Sequence, residues 1–285
     1  MNCWLHKPHA GPLTRTCYHI TVKAELTRIV RFCLNAGGSL ADDAPVANAF
    51  AAWPAMRGLG RYYQLHVTCL GEVDPATGYL VNITRIDRAV RKSLLPLVAQ
   101  AAQRDSPVAI LLADVLRELT PSLDGQVRRV RLQLTPTHGI EMENHDMNTA
   151  IIDQMFDFSA AHRLHSPTLT DAQNREIFGK CNNPSGHGHN YRLRVAVRAP
   201  LSAQGGIMPV GSLDELVGRV VIERFDHKHL NLDTAEFAHV NPTVENIAKV
   251  IHDLLAGEVK NIGVTLTHVT VWETDKTSAT YPAAE

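Results

Sequence analysis

The sequence lacks the long apolar run that a membrane-spanning helix requires. Its first residues, MNCWLHKPHAGPL, place His and Pro where a signal peptide would have an apolar segment. The five cysteines are scattered and odd in number, which fits a reducing compartment better than a secreted disulfide framework. We therefore expect a cytoplasmic protein. The cysteines are Cys3, Cys17, Cys33, Cys69 and Cys181.

An excess of charge is also absent, because the formal net charge is -1 and the pI is near 6.9. This balance offers no basic footprint for nucleic acid or for a membrane surface, so we expect neither as a partner. With 45% hydrophobic and 20% charged residues, the 285-residue chain has the composition of a globular protein with a proper core. Its length allows one large domain or two ordinary ones.

The sequence contains two copies of one residue pattern. The segment Phe50–Tyr63, FAAWPAMRGLGRYY, aligns without a gap on Phe178–Tyr191, FGKCNNPSGHGHNY, and shares the Phe, both glycines and the final Tyr. Each copy then continues through a β-patterned stretch, a turn, two helical patterns and alternating strands. The order strand, strand, helix, helix, strand, strand predicts two α+β units. The alternative is one α+β domain with chance similarity.

The join between the two units is predicted near Asn144–Asn148, within the polar run ENHDMN. This places one domain at residues 15–146 and the other at residues 147–285. The second helix of each copy is expected to begin near Pro107 or Pro242, and Thr243 is a candidate N-cap.

The motif GHGH at Gly186–His189 is the strongest indication of a functional site in the sequence. On a strand, His187 and His189 project from the same face, and His162 ends the preceding strand. If these strands pair, three imidazoles converge and leave one position open, as in catalytic zinc sites. We therefore predict a zinc site, although an isolated HxH pair is more often a pair of surface histidines.

Cys181 lies in a loop rich in Gly, Asn and Pro, six residues before His187. A nearby cation would favour its thiolate, so the sequence favours a role for Cys181 as a base near the metal over a role as a fourth ligand or as a buried apolar side chain.

Asp226 and His227 could form a carboxylate–imidazole pair, or they could be polar residues exposed at the end of a helix. Glu273 ends an alternating strand, where it could bind an amino-pyrimidinone edge or face solvent.

These motifs together resemble the 6-pyruvoyl-tetrahydropterin synthase family, which includes the related 6-carboxy-tetrahydropterin synthases. The resemblance covers about residues 150–282. It implies two tandem tunnelling-fold (T-fold) domains, each a four-stranded antiparallel sheet with two helices on one face, whose sheets join into barrels in an oligomer. The motifs that carry it are FSAAH, FGKCNNPSGHGHNY, FDHKHLNLD, PTVEN and VWETD.

The resemblance also implies roles and a reaction. The three histidines would hold Zn²⁺, Cys181 and the Asp226–His227 pair would transfer protons, and Glu273 would anchor the pterin. Thr243 and Glu245 would lie near the same pocket. The substrate would be 7,8-dihydroneopterin triphosphate, which loses triphosphate to give 6-pyruvoyl-tetrahydropterin, as in tetrahydrobiopterin biosynthesis. Two alternatives stay open: a 6-carboxy-tetrahydropterin synthase of the queuosine-type pathway, and a pterin-binding scaffold protein without turnover.

The first copy has lost the residues that carry this chemistry. It has Ala36, Leu59 and Arg61 where the second has its three histidines, Trp53 in place of the cysteine, and about Leu134 in place of the glutamate. We therefore predict that residues 15–146 are non-catalytic. Shared family pockets lead us to expect homo-oligomers in which C-domains adjoin C-domains, as a pseudo-hexameric trimer with a ring of C-domains stacked on a ring of N-domains.

Overall fold

The computed structural model describes residues 22–36, 48 and 50–283. Cys3, Cys17 and the predicted start of the first domain at residue 15 lie outside the described residues. Both halves of the chain have the predicted order of strands and helices. The N-terminal half comprises β1 (Lys23–Leu34), β2 (Arg61–Glu72), α1 (Ile83–Arg104), α2 (Val108–Ser122), β3 (Val127–Thr135) and β4 (His138–Glu143).

The C-terminal half repeats this order with additional short elements. A helix and a 3-10 turn at Gly179–Asn182 separate its first two long strands, and a wide helical turn at Gly218–Ile222 interrupts its first long helical region. The elements are β5 (Asp146–His162), α3 (Asp171–Phe178), β6 (His187–Pro200), α4 (Val210–Val217), α5 (Glu223–Phe225), β7 (Lys228–His229), α6 (Leu230–Asp233), α7 (Val244–Glu258), β8 (Thr265–Thr274) and β9 (Thr277–Tyr281).

The two halves pair their strands in the same register. Phe32 lies opposite Tyr63 in the β1–β2 pair, and Phe158 lies opposite Tyr191 in the β5–β6 pair. Both pairs stack, with ring centroids 5.6 Å and 5.0 Å apart. Phe32 and Phe158 therefore occupy equivalent positions in the two halves, as do the shared Tyr63 and Tyr191, which supports the interpretation of a repeat.

Helix α7 shows how the sequence determines the local structure. The side chain of Thr243 accepts a hydrogen bond from Asn246 N, so its predicted role as N-cap is confirmed. Ile247, Ile251 and Leu255 recur on one face of the helix and are buried. Burial of each such side chain stabilises the fold by about 1.5–3 kcal/mol. None of the described helices is long and apolar enough to cross a bilayer.

Each half has its own hydrophobic core between its strands and its helices. Leu65 and Leu116 are fully buried in the first core, and Leu193 and Ile251 are fully buried in the second. The strands themselves form one continuous sheet in the order β1-β2-β3-β4-β5-β6-β8-β9, with β7 alongside β5. The molecule is thus α+β, and its division into two domains stays a prediction.

The junction between the halves is a β-hairpin. Strand β4 pairs with β5, with Ile140 opposite Ile152, and only residues 144 and 145 separate the two strands. Arg131 adds a bidentate ion pair to Asp153, with N–O distances of 2.8 and 2.9 Å. A two-residue connection between antiparallel strands thus holds the halves of one chain edge to edge. The expected stacking of a ring of C-domains on a ring of N-domains does not follow from this arrangement, and the assembly of copies stays a prediction.

Candidate metal centre and proton-transfer groups

Three histidines converge where strand β5 ends and strand β6 begins. His162 lies opposite His187, and Ala160 lies opposite His189 in the antiparallel register. Alternation along each strand directs all three imidazoles to the face that also carries the core residue Tyr191. One nitrogen from each ring lies within 4.8 Å of the other two, so the predicted convergence is confirmed.

The surroundings of His162 determine which nitrogen is available. Its Nδ1 lies 2.7 Å from the carbonyl oxygen of Pro242, which can only accept a hydrogen bond, so Nδ1 carries the proton. Its Nε2 therefore presents a lone pair to the Nε2 atom of His187, 3.0 Å away. Complete burial of the side chain lowers the pKa of His162 to about 4, which keeps the ring neutral.

This donor set fits a metal ion. Two nitrogens bound to one tetrahedral zinc at about 2.0–2.1 Å would lie roughly 3.3 Å apart, close to the separation of the His162 and His187 nitrogens. In addition, His187 Nδ1 and His189 Nε2 are buried and have no hydrogen-bond partner in the part of the chain described. Three imidazoles arranged in this way suit a metal such as zinc.

Glu273 lies closer to the histidines than its position at a strand end indicated. Its Oε1 atom is 3.4 Å from His162 Nε2 and 3.4 Å from His189 Nε2. Strand β8 pairs with β6, which brings the acid beside the metal-binding face. The carboxylate thus adds negative charge next to the three imidazoles.

Cys181 is half-buried in the turn Gly179–Asn182. Its carbonyl accepts a hydrogen bond from Leu164 N at 2.8 Å, which ties the turn to the chain just after His162. Two causes raise the pKa of the Cys181 thiol: burial has the larger effect, and the charge of Glu273 has the smaller one. A cation at the three histidines would act in the opposite direction and favour the thiolate.

Asp226 and His227 form the carboxylate–imidazole pair that the sequence indicated. His227 Nδ1 donates to Asp226 Oδ2 at 2.7 Å, and Ser159 N donates to Asp226 Oδ1 at 2.8 Å. Both hydrogen bonds lower the pKa of Asp226, and the one from Ser159 has the larger effect. The backbone of His227 is left-handed, with φ at 57°, and its N–H donates to Ser159 O. This geometry holds an ionised acid against an imidazole.

The imidazole of His227 points away from the core, with 84% of its side chain exposed. It lines an open cavity of about 470 Å³ beside the ends of β5 and β6, together with His189. Within the described part of the chain, no hydrogen bond or ion pair links Asp226 or His227 to Cys181. The pair is therefore directed outward rather than at the cysteine of its own chain.

Sequence reasoning missed two groups at the centre. The carbonyl of Pro242 orients His162, and the hydroxyl of Tyr191 lies 3.3 Å from the same Nδ1 atom. A Cβ atom on Gly186 would lie 2.6 Å from His229 Nε2 and 2.9 Å from a backbone oxygen, and this glycine has φ at 70°. Tyr191 had a signal in the sequence, because it ends the segment that the two copies share, and Gly186 belongs to the GHGH motif and is one of the two shared glycines. Thr243 and Glu245 lie in the turn that follows Pro242.

The corresponding region of the N-terminal half is chemically different. The side chain of Leu59 is fully exposed, and Arg61 lines a small cavity with Ala36. The Arg91 guanidinium lies over the ring of Trp53, 4.0 Å from its centroid. In the described residues, the three histidines of the C-terminal half form the one cluster suited to a metal.

Comparison with known proteins agrees with these features. Residues 151–284 match the family model described as 6-pyruvoyl tetrahydropterin synthase. The 6-pyruvoyl tetrahydrobiopterin synthase of Drosophila melanogaster is 43% identical over 125 residues, which are 44% of this chain and 74% of that protein. The human protein of the same name is 41% identical over 133 residues, which are 46% of this chain and 90% of that protein.

A solved structure of Caenorhabditis elegans 6-pyruvoyl tetrahydropterin synthase is 36% identical. The match covers 48% of this chain and 96% of that chain, with a TM-score of 0.44. Given the extent of the sequence matches, the chain belongs to the 6-pyruvoyl tetrahydropterin synthase family, by way of its C-terminal half.

Proposed function

We propose that the C-terminal half is a zinc-dependent lyase that converts 7,8-dihydroneopterin triphosphate to 6-pyruvoyl-tetrahydropterin. The observation that carries the proposal is the cluster of three convergent histidines beside Glu273. It lies in the half that is 41–43% identical to proteins named as pyruvoyl synthases. We also assign the two repeats to T-fold domains at residues 15–146 and 147–285, supported by their shared strand register.

The reaction needs no external oxidant. Elimination breaks the carbon–oxygen bond to the triphosphate, and the pterin ring gains the two hydrogens that the remaining side chain loses. What the chain must supply is binding of the pterin and transfer of protons between carbon and oxygen atoms. A zinc ion bound by His162, His187 and His189 would supply Lewis acidity toward the side-chain oxygens.

The chain's own residues take the remaining roles. Cys181 removes a proton from the substrate side chain, because it is the ionisable thiol next to the metal-binding face. Glu273 accepts hydrogen bonds from the amino-pyrimidinone edge of the pterin. Thr243 and Glu245 lie at the start of α7, beside the carbonyl that orients His162.

The Asp226–His227 pair is assigned the second proton transfer. Asp226 stays ionised and orients the imidazole, so the outward-facing nitrogen of His227 is free to exchange protons. Because this imidazole points away from its own core, we assign it to a substrate held by another copy of the chain.

Mass spectrometry of the products tests this function. Zinc-loaded protein is incubated with 7,8-dihydroneopterin triphosphate, and Cys181→Ala is run alongside. We expect released triphosphate and the mass of 6-pyruvoyl-tetrahydropterin, both lost in the variant. A 6-carboxy product with acetaldehyde would instead assign the protein to the carboxy-forming reaction. Intact substrate that remains bound to the zinc-loaded protein would indicate a pterin-binding scaffold and contradict the proposed activity.

A further inference from the structure

The arginines of the C-terminal half are not all neutralised by the protein. Five of the seven arginines between residues 147 and 285 form an ion pair with a carboxylate. The other two, Arg163 and Arg175, pair with no carboxylate in the described part of the chain, and both line one surface cavity. Lys180 lines the same cavity, and its side chain also lacks a partner among the described residues. The five paired residues are Arg192, Arg194, Arg198, Arg219 and Arg224.

This cavity has a volume of about 320 Å³, which is within the range of small-molecule sites. One carboxylate, that of Asp171, lies among the three cations, which leaves a formal excess of two positive charges. The chain as a whole has a net charge of -1, so the excess is local. Guanidinium groups present paired N–H donors that match the oxygens of a phosphate. A phosphate-rich anion is therefore the ligand that this cavity suits.

The walls of the cavity are held in fixed positions. Arg175 lies on helix α3, whose N-terminus has a capping box formed by Thr170 and Gln173. Asn174 of the same helix is fully buried, and its side-chain amide donates to the carbonyls of Ser166 and Thr170 at 2.9 and 3.1 Å. Cations that are arranged before the ligand arrives lower the entropic cost of binding.

The cavity also lies beside the groups assigned to the chemistry. Arg163 directly follows the proposed metal ligand His162, and Lys180 and Asn182 flank Cys181. Arg163 Nε donates to the carbonyl oxygen of Asn182 at 3.2 Å, so the two segments are in contact. Because consecutive Cα atoms are about 3.8 Å apart, a charged group on a substrate at the three histidines has only a short distance to reach the cavity.

We propose that this cavity binds the triphosphate of the substrate and stabilises it as it leaves. The inference rests on the proposed function for the identity of the substrate. In the elimination, Cys181 takes a proton from carbon, the electron pair of that C–H bond forms the carbon–carbon double bond, and the pair of the C–O bond leaves on the triphosphate. The leaving group thus gains one negative charge, which fixed cations stabilise. The N-terminal half has Ala52 in place of Lys180, as it also lacks the other reactive groups.

Isothermal titration calorimetry with inorganic tripolyphosphate tests the site without turnover. The probe is titrated into the zinc-loaded full-length chain, and the zinc content is measured afterwards because tripolyphosphate can remove the metal. The cavity variant, Arg175→Gln with Lys180→Gln, should bind tripolyphosphate about a hundredfold more weakly, at about tenfold for each charged partner lost. Arg175→Lys with Lys180→Arg keeps both charges and should retain binding. Asp171→Asn removes a repulsive charge and should strengthen it.

The matched control is Arg219→Gln with Lys260→Gln, which removes an exposed arginine and an exposed lysine outside the cavity. It should bind tripolyphosphate as the wild type does. A loss as large as that of the cavity variant would overturn the proposal, because it would show that only the net charge of the chain matters. Equal binding by the wild type and the cavity variant, or no binding by the wild type at millimolar tripolyphosphate, would overturn it as well.

Kinetics separate failure of this inference from failure of the proposed function. The cavity variant should have a raised KM for 7,8-dihydroneopterin triphosphate and a lowered kcat. Its affinity for 7,8-dihydroneopterin, which carries no phosphate, should equal that of the wild type. An active enzyme whose cavity variant keeps the wild-type KM and kcat would retain the proposed function and refute the triphosphate site. A protein without turnover whose cavity variant loses tripolyphosphate affinity would refute the proposed activity and retain the anion site.

Discussion

The two halves of this molecule share a scaffold but differ in their chemistry. Both pair their strands in one register and stack the same Phe and Tyr between neighbouring strands. Only the C-terminal half carries imidazoles where the first strand ends and the second begins. The difference shows that the sheet register depends on the apolar and aromatic residues, whereas the site depends on a few polar residues that can be lost without loss of the fold.

Removal of a metal ligand should have the largest effect. His162→Ala takes away a buried imidazole whose lone pair faces His187, so we expect loss of bound zinc and of all detectable turnover. Zinc content by elemental analysis and product formation are the two measurements. His239→Ala, at an exposed histidine outside the cluster, is the control and should retain both. Zinc retention by His162→Ala would place the metal elsewhere.

Replacement of the cysteine should separate chemistry from metal binding. If Cys181 is a base rather than a ligand, Cys181→Ala should lower kcat by about 10²–10⁴-fold and leave the zinc content unchanged. The matched variant in the other half is Cys33→Ala, which removes a buried thiol from the N-terminal repeat and should leave kcat unchanged. Loss of zinc from Cys181→Ala would make the residue a fourth ligand.

The outward-facing imidazole should have a smaller effect. We expect His227→Gln to lower kcat by about a hundredfold, because it removes the group that exchanges the second proton. Asp226→Asn should have a similar effect by weakening the hydrogen bond that orients the ring. If both variants keep wild-type kcat, the pair has only a structural role at the edge of β5.

The smallest expected effect is on stability and lies in the N-terminal half. The pKa of His66 is lowered from 6.5 to about 4, mainly by burial and to a smaller extent by the charges of Arg131 and Arg31. The unfolded chain therefore takes up this proton first. The stability contributed by the neutral ring is complete above pH 6.5 and is lost as the pH falls toward 4, by about 1–2 kcal/mol for a partly exposed group.

Urea unfolding of His66→Gln at several pH values measures this contribution. The variant should lose less stability than the wild type between pH 6.5 and 4. His145→Gln, which changes a histidine with 71% of its side chain exposed, should follow the wild type. Equal slopes for all three proteins would show that His66 is not held in the neutral form by its surroundings.

Much of this structure is predictable from sequence because its determinants are local. Alternation of apolar residues gives the strands, the 3.6-residue period gives α7, and the gapless alignment of the two copies gives the repeat. The convergence of three histidines follows from the pairing of two neighbouring strands. The N-cap at Thr243 follows from the preference for a hydroxyl at the start of a helix.

The features that sequence reasoning missed depend on long-range pairing. The polar run at residues 143–148 predicted a join between the two copies, but not that the strands on either side of it pair directly through a two-residue turn. The approach of Glu273 to His162 requires the β6–β8 register, and the carbonyl of Pro242 has no side chain to reveal its role. Such contacts arise from positions in the assembled sheet, and no single motif records them.

The most direct test of the contrast between the halves is the amount of zinc bound per chain. Elemental analysis of the purified full-length protein should give one zinc ion per chain, and the substitution His187→Ala should abolish it. The variant Arg61→Ala, at the corresponding region of the N-terminal half, should keep one ion per chain. Two ions per chain, or one ion that survives His187→Ala, would contradict the assignment of the chemistry to the C-terminal half alone.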